Sequence, residues 1–373
     1  MPVARGTGRE SEGDVPQAFY KRRQPDSGSG AAPPKSARRS DEGRANSRLR
    51  LAVTSLFLLL IAATAVGLYL GYSPVSLAAL REDPLTRALF FRLRLPRVLM
   101  AGIVGASLSL VGAALQSLFR NPLADPFTLG VSGGAALGAS IVIALGVSAG
   151  LFGVPLIFLS AFAGAGVSVL IVYRLARTGD VILPGALLLA GIVFNLCASA
   201  GVLIIEYLTD ASRSMQILRW MMGSLDVIGF SILWKMLVFL IPGWLVLAAY
   251  ARDLHLLATG EDTAASLGVD VRKAERMIYA ASSLIIGVTV SVGGTIGFVG
   301  LIVPHASRLL FGQDVRVLLP ASFLLGASFL ILADTLARVI ALPLELPVGA
   351  ITALMGGPVF LLLLRRQQRY SAM

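Results

Sequence analysis

Residues 276–311 read RMIYAASSLIIGVTVSVGGTIGFVGLIVPHASRLLF, with no Asp, Glu, Lys or Arg between Arg276 and Arg308. A single α-helix over this stretch would be about 54 Å long, whereas the hydrocarbon core of a bilayer is only about 30 Å thick. The pair Gly293-Gly294 near the middle is the natural break. The stretch therefore predicts two short membrane-spanning helices in succession.

The same apolar character recurs along most of the chain. Its 373 residues are 56% hydrophobic and only 14% charged, whereas soluble domains carry about a quarter charged residues. Helices satisfy their own backbone hydrogen bonds in lipid, and the period-two alternation of a β-barrel is absent. The predicted fold class is all-α, a polytopic membrane protein with about ten transmembrane helices. The predicted spans are residues 49–70, 95–118, 127–148, 153–173, 183–205, 230–250, 276–294, 296–311, 317–335 and 346–364.

Three parts are expected along the chain. Residues 1–47 are rich in Gly, Ser, Pro, Arg and Glu, a composition that cannot bury a core, so we predict a disordered basic cytoplasmic tail that is not cleaved. Residues 48–366 hold the ten-helix transmembrane domain, with a cytoplasmic loop at 251–275. Residues 367–373 form a short cytoplasmic C-terminal tail.

The basic residues predict the orientation of these spans. Ten crossings put both termini on one side of the membrane. With the termini inside, about 23 of the 32 Lys and Arg residues are cytoplasmic and about 9 are external, in accord with the positive-inside rule. The same rule accounts for the net charge of +11, so nucleic acid is not an expected partner.

Residues with metal-binding or redox chemistry are scarce. Cys197 is the only cysteine, so an intrachain disulfide is excluded, and His255 and His305 are the only histidines. The two histidines are too far apart in sequence for a metal-ligand motif. We therefore expect no metal site and no cofactor.

Active transport needs a coupling ion or ATP. Polar candidates within the spans are few, and Asn195, Glu206 and Asp334 do not form the set of buried carboxylates that a proton or sodium relay requires. The chain also lacks a convincing phosphate-binding loop. We therefore expect a separate ATPase to act on a cytoplasmic loop, and no enzymatic activity in this chain.

The loop at 251–275 is the longest internal cytoplasmic segment. Within it, Gly260-Glu261-Asp262 precedes the sequence TAASLG, which ends at Gly268. Acidic residues suit the start of a helix, and glycine suits a position just past its end. The pattern predicts a short helix outside the membrane, which is compatible with a contact for the ATPase or with a plain connector.

An arginine-rich segment follows the first span, on the side predicted to be external. Basic residues are unusual on the external side, and an acidic partner that binds them would explain the patch. The alternative is that these long basic side chains extend from helix ends to the membrane surface. Near the end of the ninth span, Asp334 and Arg338 are four residues apart, which predicts a local ion pair. The arginines of the segment are Arg81, Arg87, Arg92, Arg94 and Arg97.

Six motifs follow one another between residues 94 and 349, within a resemblance that extends from about residue 50 to residue 366. They are Arg94-Leu95-Pro96-Arg97, QSLFRNPLADP at 116–126, LGVSGG at 129–134, GFVGLIVPH at 297–305, Ala333-Asp334 with Ala337-Arg338, and ELPVG at 345–349. Together they make this chain similar to the FecCD-type permeases of ABC importers, a family that carries iron-siderophore complexes, haem and vitamin B12.

The resemblance implies a type II ABC importer permease fold of ten helices in the bacterial cytoplasmic membrane. It also implies a second permease subunit, two ABC ATPase subunits and an extracytoplasmic substrate-binding protein as partners. The family's coupling helix maps onto Gly260, Glu261, Ala264, Leu267 and Gly268. Its docking arginines for the binding protein map onto Arg94, Arg97 and Arg338.

Cargo and pairing stay open at this stage. An iron-siderophore complex is expected because it is the commonest cargo in the family, with haem or vitamin B12 as alternatives. A stand-alone secondary transporter should show charged residues on broken helices at the midplane. An intramembrane enzyme would need a nucleophile–base pair or a metal cluster within the spans. The permease could pair with itself or with a second, related permease.

Overall fold

The computed structural model describes residues 53–71, 77–178, 181–182 and 184–371, which all belong to the unit Arg48–Met373. The tail predicted at residues 1–47 lies outside the described residues. Within the described ranges the chain is overwhelmingly helical, as the apolar runs predict. The last helix continues to Ser371, beyond the end of the transmembrane domain proposed from the sequence.

An apolar helix lies in each of the ten predicted runs. Six of them are long and apolar enough to cross a membrane, and four are shorter. The long ones are α4 (Leu95–Leu118, continuing a helical stretch from Pro84), α6 (Leu156–Ala176), α7 (Pro184–Leu208), α9 (Ser231–Ala249), α12 (Val271–Gly293) and α14 (Val315–Val339). The shorter ones are α1 (Val53–Tyr69), α5 (Val131–Leu145), α13 (Val299–Phe311) and the apolar part Val348–Leu361 of α15 (Val348–Ser371).

The break predicted at Gly293-Gly294 is confirmed. Helix α12 ends at Gly293, and Gly294 turns the chain with φ 68° and ψ −161°. A Cβ atom on Gly294 would lie 2.3 Å from the carbonyl oxygen of Trp220, so the position needs glycine for its space as well as for its backbone angle. Phe298, with φ 67°, then leads into α13.

Glycines set the closest helix contacts. A Cβ atom on Gly105 of α4 would lie 2.2 Å from the carbonyl oxygen of Gly326 in α14, so these two helices approach backbone to backbone. A Cβ atom on Gly134 of α5 would similarly lie 2.3 Å from the carbonyl oxygen of Gly164 in α6. Small residues drive helix association in lipid by allowing such contacts. Gly134 and, one turn later, Gly138 of α5 therefore serve helix packing.

The segment between the first two spans is helical where the structure describes it, which the sequence did not predict. Its described part comprises α2 (Leu77–Glu82), α3 (Pro84–Leu89) and a π-helical turn (Phe90–Arg94) that runs directly into α4. Asp83 caps α3 by accepting hydrogen bonds from the backbone N–H groups of Leu85 (3.0 Å) and Thr86 (3.1 Å). The arginines of this segment thus sit on folded structure.

Short elements complete the fold. Helix α8 (Ala211–Met221) follows α7, while α10 (Ala251–Leu257) and α11 (Glu261–Ser266) lie between α9 and α12. A 3₁₀ turn (Pro126–Leu129) precedes α5. Two small antiparallel hairpins pair Gly150–Leu151 with Val154–Pro155 and Arg177–Thr178 with Val181–Ile182, a minor addition to the predicted all-α class.

Candidate functional site

The 260–268 segment forms the short helix that its sequence predicts. Helix α11 occupies Glu261–Ser266, and Gly268 follows it with φ 87°. The Gly268 N–H donates to the Ala265 carbonyl (3.0 Å) and the Val269 N–H donates to the Ala264 carbonyl (3.0 Å). These two bonds form a Schellman motif, in which glycine takes the left-handed position.

One side of this segment is anchored and the other is exposed. Ala264 is fully buried against the bundle, whereas Leu267 is 58% exposed. Glu261 forms an ion pair with Arg120, with 2.7 Å between Oε1 and Nη2. A partner could therefore reach an apolar side chain on a helix whose position is fixed from behind.

The motif at 116–126 positions Arg120. Helix α4 ends at Leu118, and Arg120 adopts φ 50°, which turns the chain back toward the 260–268 segment. Asn121 stabilises this turn, because its N–H donates to the Gln116 carbonyl (3.1 Å) and its Oδ1 accepts from the Leu123 N–H (2.9 Å).

Asp125 closes the same motif. Its carboxylate accepts a hydrogen bond from the Phe127 N–H (3.2 Å) and so caps the following 3₁₀ turn. Burial raises the pKa of the Asp125 carboxyl to about 6, and the hydrogen bond from Phe127 offsets only part of that rise.

A buried polar contact between α4 and α13 was not predicted from the sequence. Pro304 has no N–H, so the carbonyl of Gly300, four residues earlier, loses its helical donor. Gln116 supplies the replacement, since its Nε2 lies 3.2 Å from that carbonyl oxygen, and its Oε1 in turn accepts from Arg308. The sequence signal for this contact was Pro304, four residues after Gly300.

The predicted docking arginines lie near one end of the α4–α14 pair. Arg94 Nη1 donates to the carbonyls of Leu68 (3.2 Å) and Tyr69 (3.4 Å) at the end of α1. Arg338 is buried, and its Nε lies 3.0 Å from Asp334 Oδ2. The predicted Asp334–Arg338 ion pair is therefore present.

Arg338 also uses its remaining donors inside the protein. Nη2 donates to the Gly67 carbonyl (3.1 Å) and the Thr335 hydroxyl (3.2 Å), and Nη1 donates to the Leu70 carbonyl (3.2 Å). The guanidinium is thus held among α1 and α14 in this conformation, which differs from the exposed position expected of a docking side chain.

Arg97 is the centre of a larger ion-pair cluster. Its Nε and Nη2 each lie 3.1 Å from Asp334 Oδ1. Its Nη1 lies 2.5 Å from Asp226 Oδ1 and 2.6 Å from Glu345 Oε2. The sequence did not predict these last two carboxylates, because their positions in the chain are remote from Arg97.

The 260–268 segment and the arginine cluster lie at opposite ends of the same helix. Arg97 is in the first turn of α4, and Arg120 follows its last turn. A helix of this length extends roughly 36 Å, which is the thickness of a bilayer core with some margin. The two predicted sites are therefore separated by about one membrane thickness.

Other polar residues noted in the sequence make contacts that hold the bundle together. Asn195 of α7 accepts from the Gly133 N–H (3.0 Å) and donates to the Phe127 carbonyl (2.8 Å), so its amide joins α7 to the start of α5. His255 Nδ1 is 3.7 Å from Asp314 Oδ1. Across the described ranges, no group of three or more His, Cys, Asp or Glu side chains could hold a metal ion.

A bundle of apolar helices with polar clusters at its two ends is the architecture of a helical, multi-pass membrane protein. Residues 54–366 match the FecCD transport family. The chain belongs to this family, and it is an ABC importer permease.

Named relatives agree with this assignment. The hemin transport system permease protein HmuU of Yersinia pestis is 39% identical over 334 residues, which cover 87% of this chain and 98% of that protein. The cobalamin import system permease protein BtuC of Halobacterium salinarum is 44% identical over 278 residues, covering 74% and 73%. An inward-facing conformation of a metal-chelate type ABC transporter has a TM-score of 0.75 at 31% identity, covering 85% of this chain and 99% of that one.

Proposed function

We propose that this permease imports a preassembled metal chelate, with an iron-siderophore complex as the first candidate. The observation that supports a chelate is the family itself, whose similar members are named for hemin and cobalamin. Hemin and cobalamin are large molecules that already coordinate their metal, so the permease need not supply metal ligands. Haem and cobalamin are accordingly the cargoes to be distinguished from a ferric siderophore.

Competition for uptake tests the cargo. The uptake of a radiolabelled ferric siderophore is measured in cells that depend on this permease. Unlabelled ferric hydroxamate, ferric catecholate, haem or cobalamin is added in excess as the competitor. We expect a ferric siderophore to compete and the other chelates not to. Absence of siderophore uptake, together with permease-dependent uptake of labelled haem or cobalamin, would reassign the cargo.

We propose that the 260–268 segment is the coupling helix for a separate ABC ATPase. The support is its geometry, with Ala264 anchored, Leu267 exposed and Glu261 paired with Arg120. ATP-driven closure of the ATPase would push on the exposed side, and the contact through Arg120 would pass the displacement to the end of α4.

This assignment places the segment in the cytoplasm, together with both termini. A Cys197→Ser background removes the only cysteine, so that Leu267→Cys becomes the single labelling site. In oriented membranes, a membrane-impermeant maleimide should label this cysteine only when it has access to the cytoplasmic face. Labelling from the external face would reject the orientation.

We propose that the arginine cluster lies outside and receives the substrate-binding protein. Arg94 and Arg97 carry this role, because Arg97 keeps partly exposed contacts whereas Arg338 is buried against Asp334. Arg338 then acts as a positioning residue that holds Asp334, and through it Arg97. Reversing Arg94 and Arg97 to Glu should weaken binding-protein association and uptake per folded permease; because Arg97→Glu would set a second carboxylate against Asp334, the amount of folded protein is measured alongside by size-exclusion chromatography. Normal association would reject the docking role.

A second permease subunit is part of the same proposal. Helix α7 presents several large apolar side chains that the described bundle leaves uncovered, among them Leu196 and Leu203. Lipid or a second subunit could cover them. Mass determination of the complex purified through its ATPase would show whether two copies of this chain or one copy and a related permease are present.

A further inference from the structure

Arg97 contacts two kinds of carboxylate. Asp334 is 1% exposed and contacts the Nε–Nη2 edge of the guanidinium, where Arg338 neutralises it from the other side. Asp226 and Glu345 are 64% and 47% exposed and share the single nitrogen Nη1. The inner contact is therefore buried and compensated, whereas the outer contacts are solvated.

The shared nitrogen makes the outer contacts exchangeable. Nη1 is an NH2 group with one hydrogen for each carboxylate, but the two carboxylates repel each other, and because both are exposed, water and salt screen their attraction to Arg97. A third carboxylate from outside could therefore take the place of either one. Asp334 would keep Arg97 in position during such an exchange.

The outer contacts also join separate parts of the chain. Arg97 belongs to α4, Asp226 to the connection between α8 and α9, and Glu345 to the connection between α14 and α15. A cavity of about 420 Å³ lies among these segments, and Arg219 of α8 is also part of its wall. Arg97 thus ties two connecting segments together in the wall of a cavity.

We propose that Asp226 and Glu345 are internal competitors for the docking arginine, and that an acidic side chain of the binding protein displaces them. We call Arg97, Asp226 and Glu345 the clamp. While the clamp is closed, the two connecting segments stay together and Arg97 is occupied. Docking opens the clamp, so that recognition of the partner and release of the segments are one event. This inference rests on the proposed docking role of Arg97.

The clamp can be tested in the permease alone. In a Cys197→Ser background, spin labels at Ile228 and Leu344, both exposed, report the separation of the two connecting segments. The double variant Asp226→Asn/Glu345→Gln should give a longer and broader distance distribution than the parent without any binding protein. An unchanged distribution would overturn the clamp.

Affinity for the binding protein provides a second readout. Removing exposed competitors of this kind should tighten association by about fivefold. Weaker association would also overturn the proposal, since it would show that Asp226 and Glu345 contact the partner directly. Asp210→Asn is the matched control, because Asp210 is an exposed carboxylate paired with Arg213 rather than Arg97, and neither readout should change.

The two hypotheses fail in different ways. If the Arg94→Glu/Arg97→Glu variant binds the partner normally, the docking role is rejected, whereas the label distances still report whether the clamp holds the segments. If that variant loses binding but Asp226→Asn/Glu345→Gln changes neither affinity nor distance, docking stands and the clamp is rejected.

Discussion

Replacing Asp334 by Asn should destabilise the protein far more than the loss of any exposed carboxylate. Asp334 is 1% exposed and lies 3.0 to 3.1 Å from the guanidinium nitrogens of both Arg97 and Arg338. Asn keeps the shape but removes the charge, so two buried guanidinium groups would face each other across a neutral amide. Both are held by neighbouring helices and cannot easily move into water.

The expected loss follows from the contacts that survive. Breaking a buried ion pair by removing one partner costs about 3 to 5 kcal/mol. Arg97 retains Asp226 and Glu345, and Arg338 retains the carbonyls of Gly67 and Leu70. We therefore expect a loss of about 3 kcal/mol, at the lower end of that range.

An unfolding titration in mixed detergent micelles measures this loss. Asp226→Asn is the control, because Asp226 is 64% exposed, so solvent screens its ion pair with the same arginine and its loss leaves Arg97 still paired with Asp334. The double variant Asp334→Leu/Arg338→Leu should recover part of the stability, since it removes Asp334 together with Arg338, whereas Arg97 keeps Asp226 and Glu345. The reasoning would be refuted if Asp334→Asn and Asp226→Asn lost similar amounts of stability.

Three further predictions concern the opposite end of α4. Glu261→Arg should lower uptake. Adding Arg120→Glu should restore most of the uptake, because the exchanged charges can pair again. A double variant as slow as the single one would show that Glu261 acts through a different contact. Gly268→Ala should lower the free energy of unfolding by about 1 kcal/mol. The left-handed backbone alone causes this loss, because the space around a Cβ there is open. Gly268→Asn should cost less, and equal losses in thermal stability would contradict this. Asp125, whose pKa is raised to about 6 from an ordinary value of about 3.9, holds its proton more tightly in the folded state, so folding stability should fall as pH rises from about 4 to about 6. The free energy of unfolding of Asp125→Asn minus that of the parent should therefore increase over that interval, because only the parent titrates. A constant difference would reject the assignment.

The helices could be predicted from the sequence because lipid imposes simple rules on them. Length and apolar composition were enough to find the runs that hold α4 and α14, and a glycine pair was enough to divide α12 from α13. The Asp334–Arg338 pair followed from helical spacing, and the cap at Gly268 followed from its residue type.

The contacts between distant segments could not be predicted in this way. Asp226 and Glu345 lie on separate connections, and only the folded bundle brings them to Arg97. Helix α8 was missed because it is short and amphipathic rather than apolar. The resemblance placed Arg338 among the docking residues, but hydrophobic patterning gave no sign that its guanidinium would be buried under α1.

Reconstituted transport tests the central claim most directly. The purified permease would be placed in liposomes with or without its ABC ATPase, with the binding protein and a radiolabelled ferric chelate on the side away from the ATPase. We predict chelate accumulation that requires both the ATPase and ATP hydrolysis. Accumulation by the permease alone, without any nucleotide-hydrolysing partner, would contradict the account.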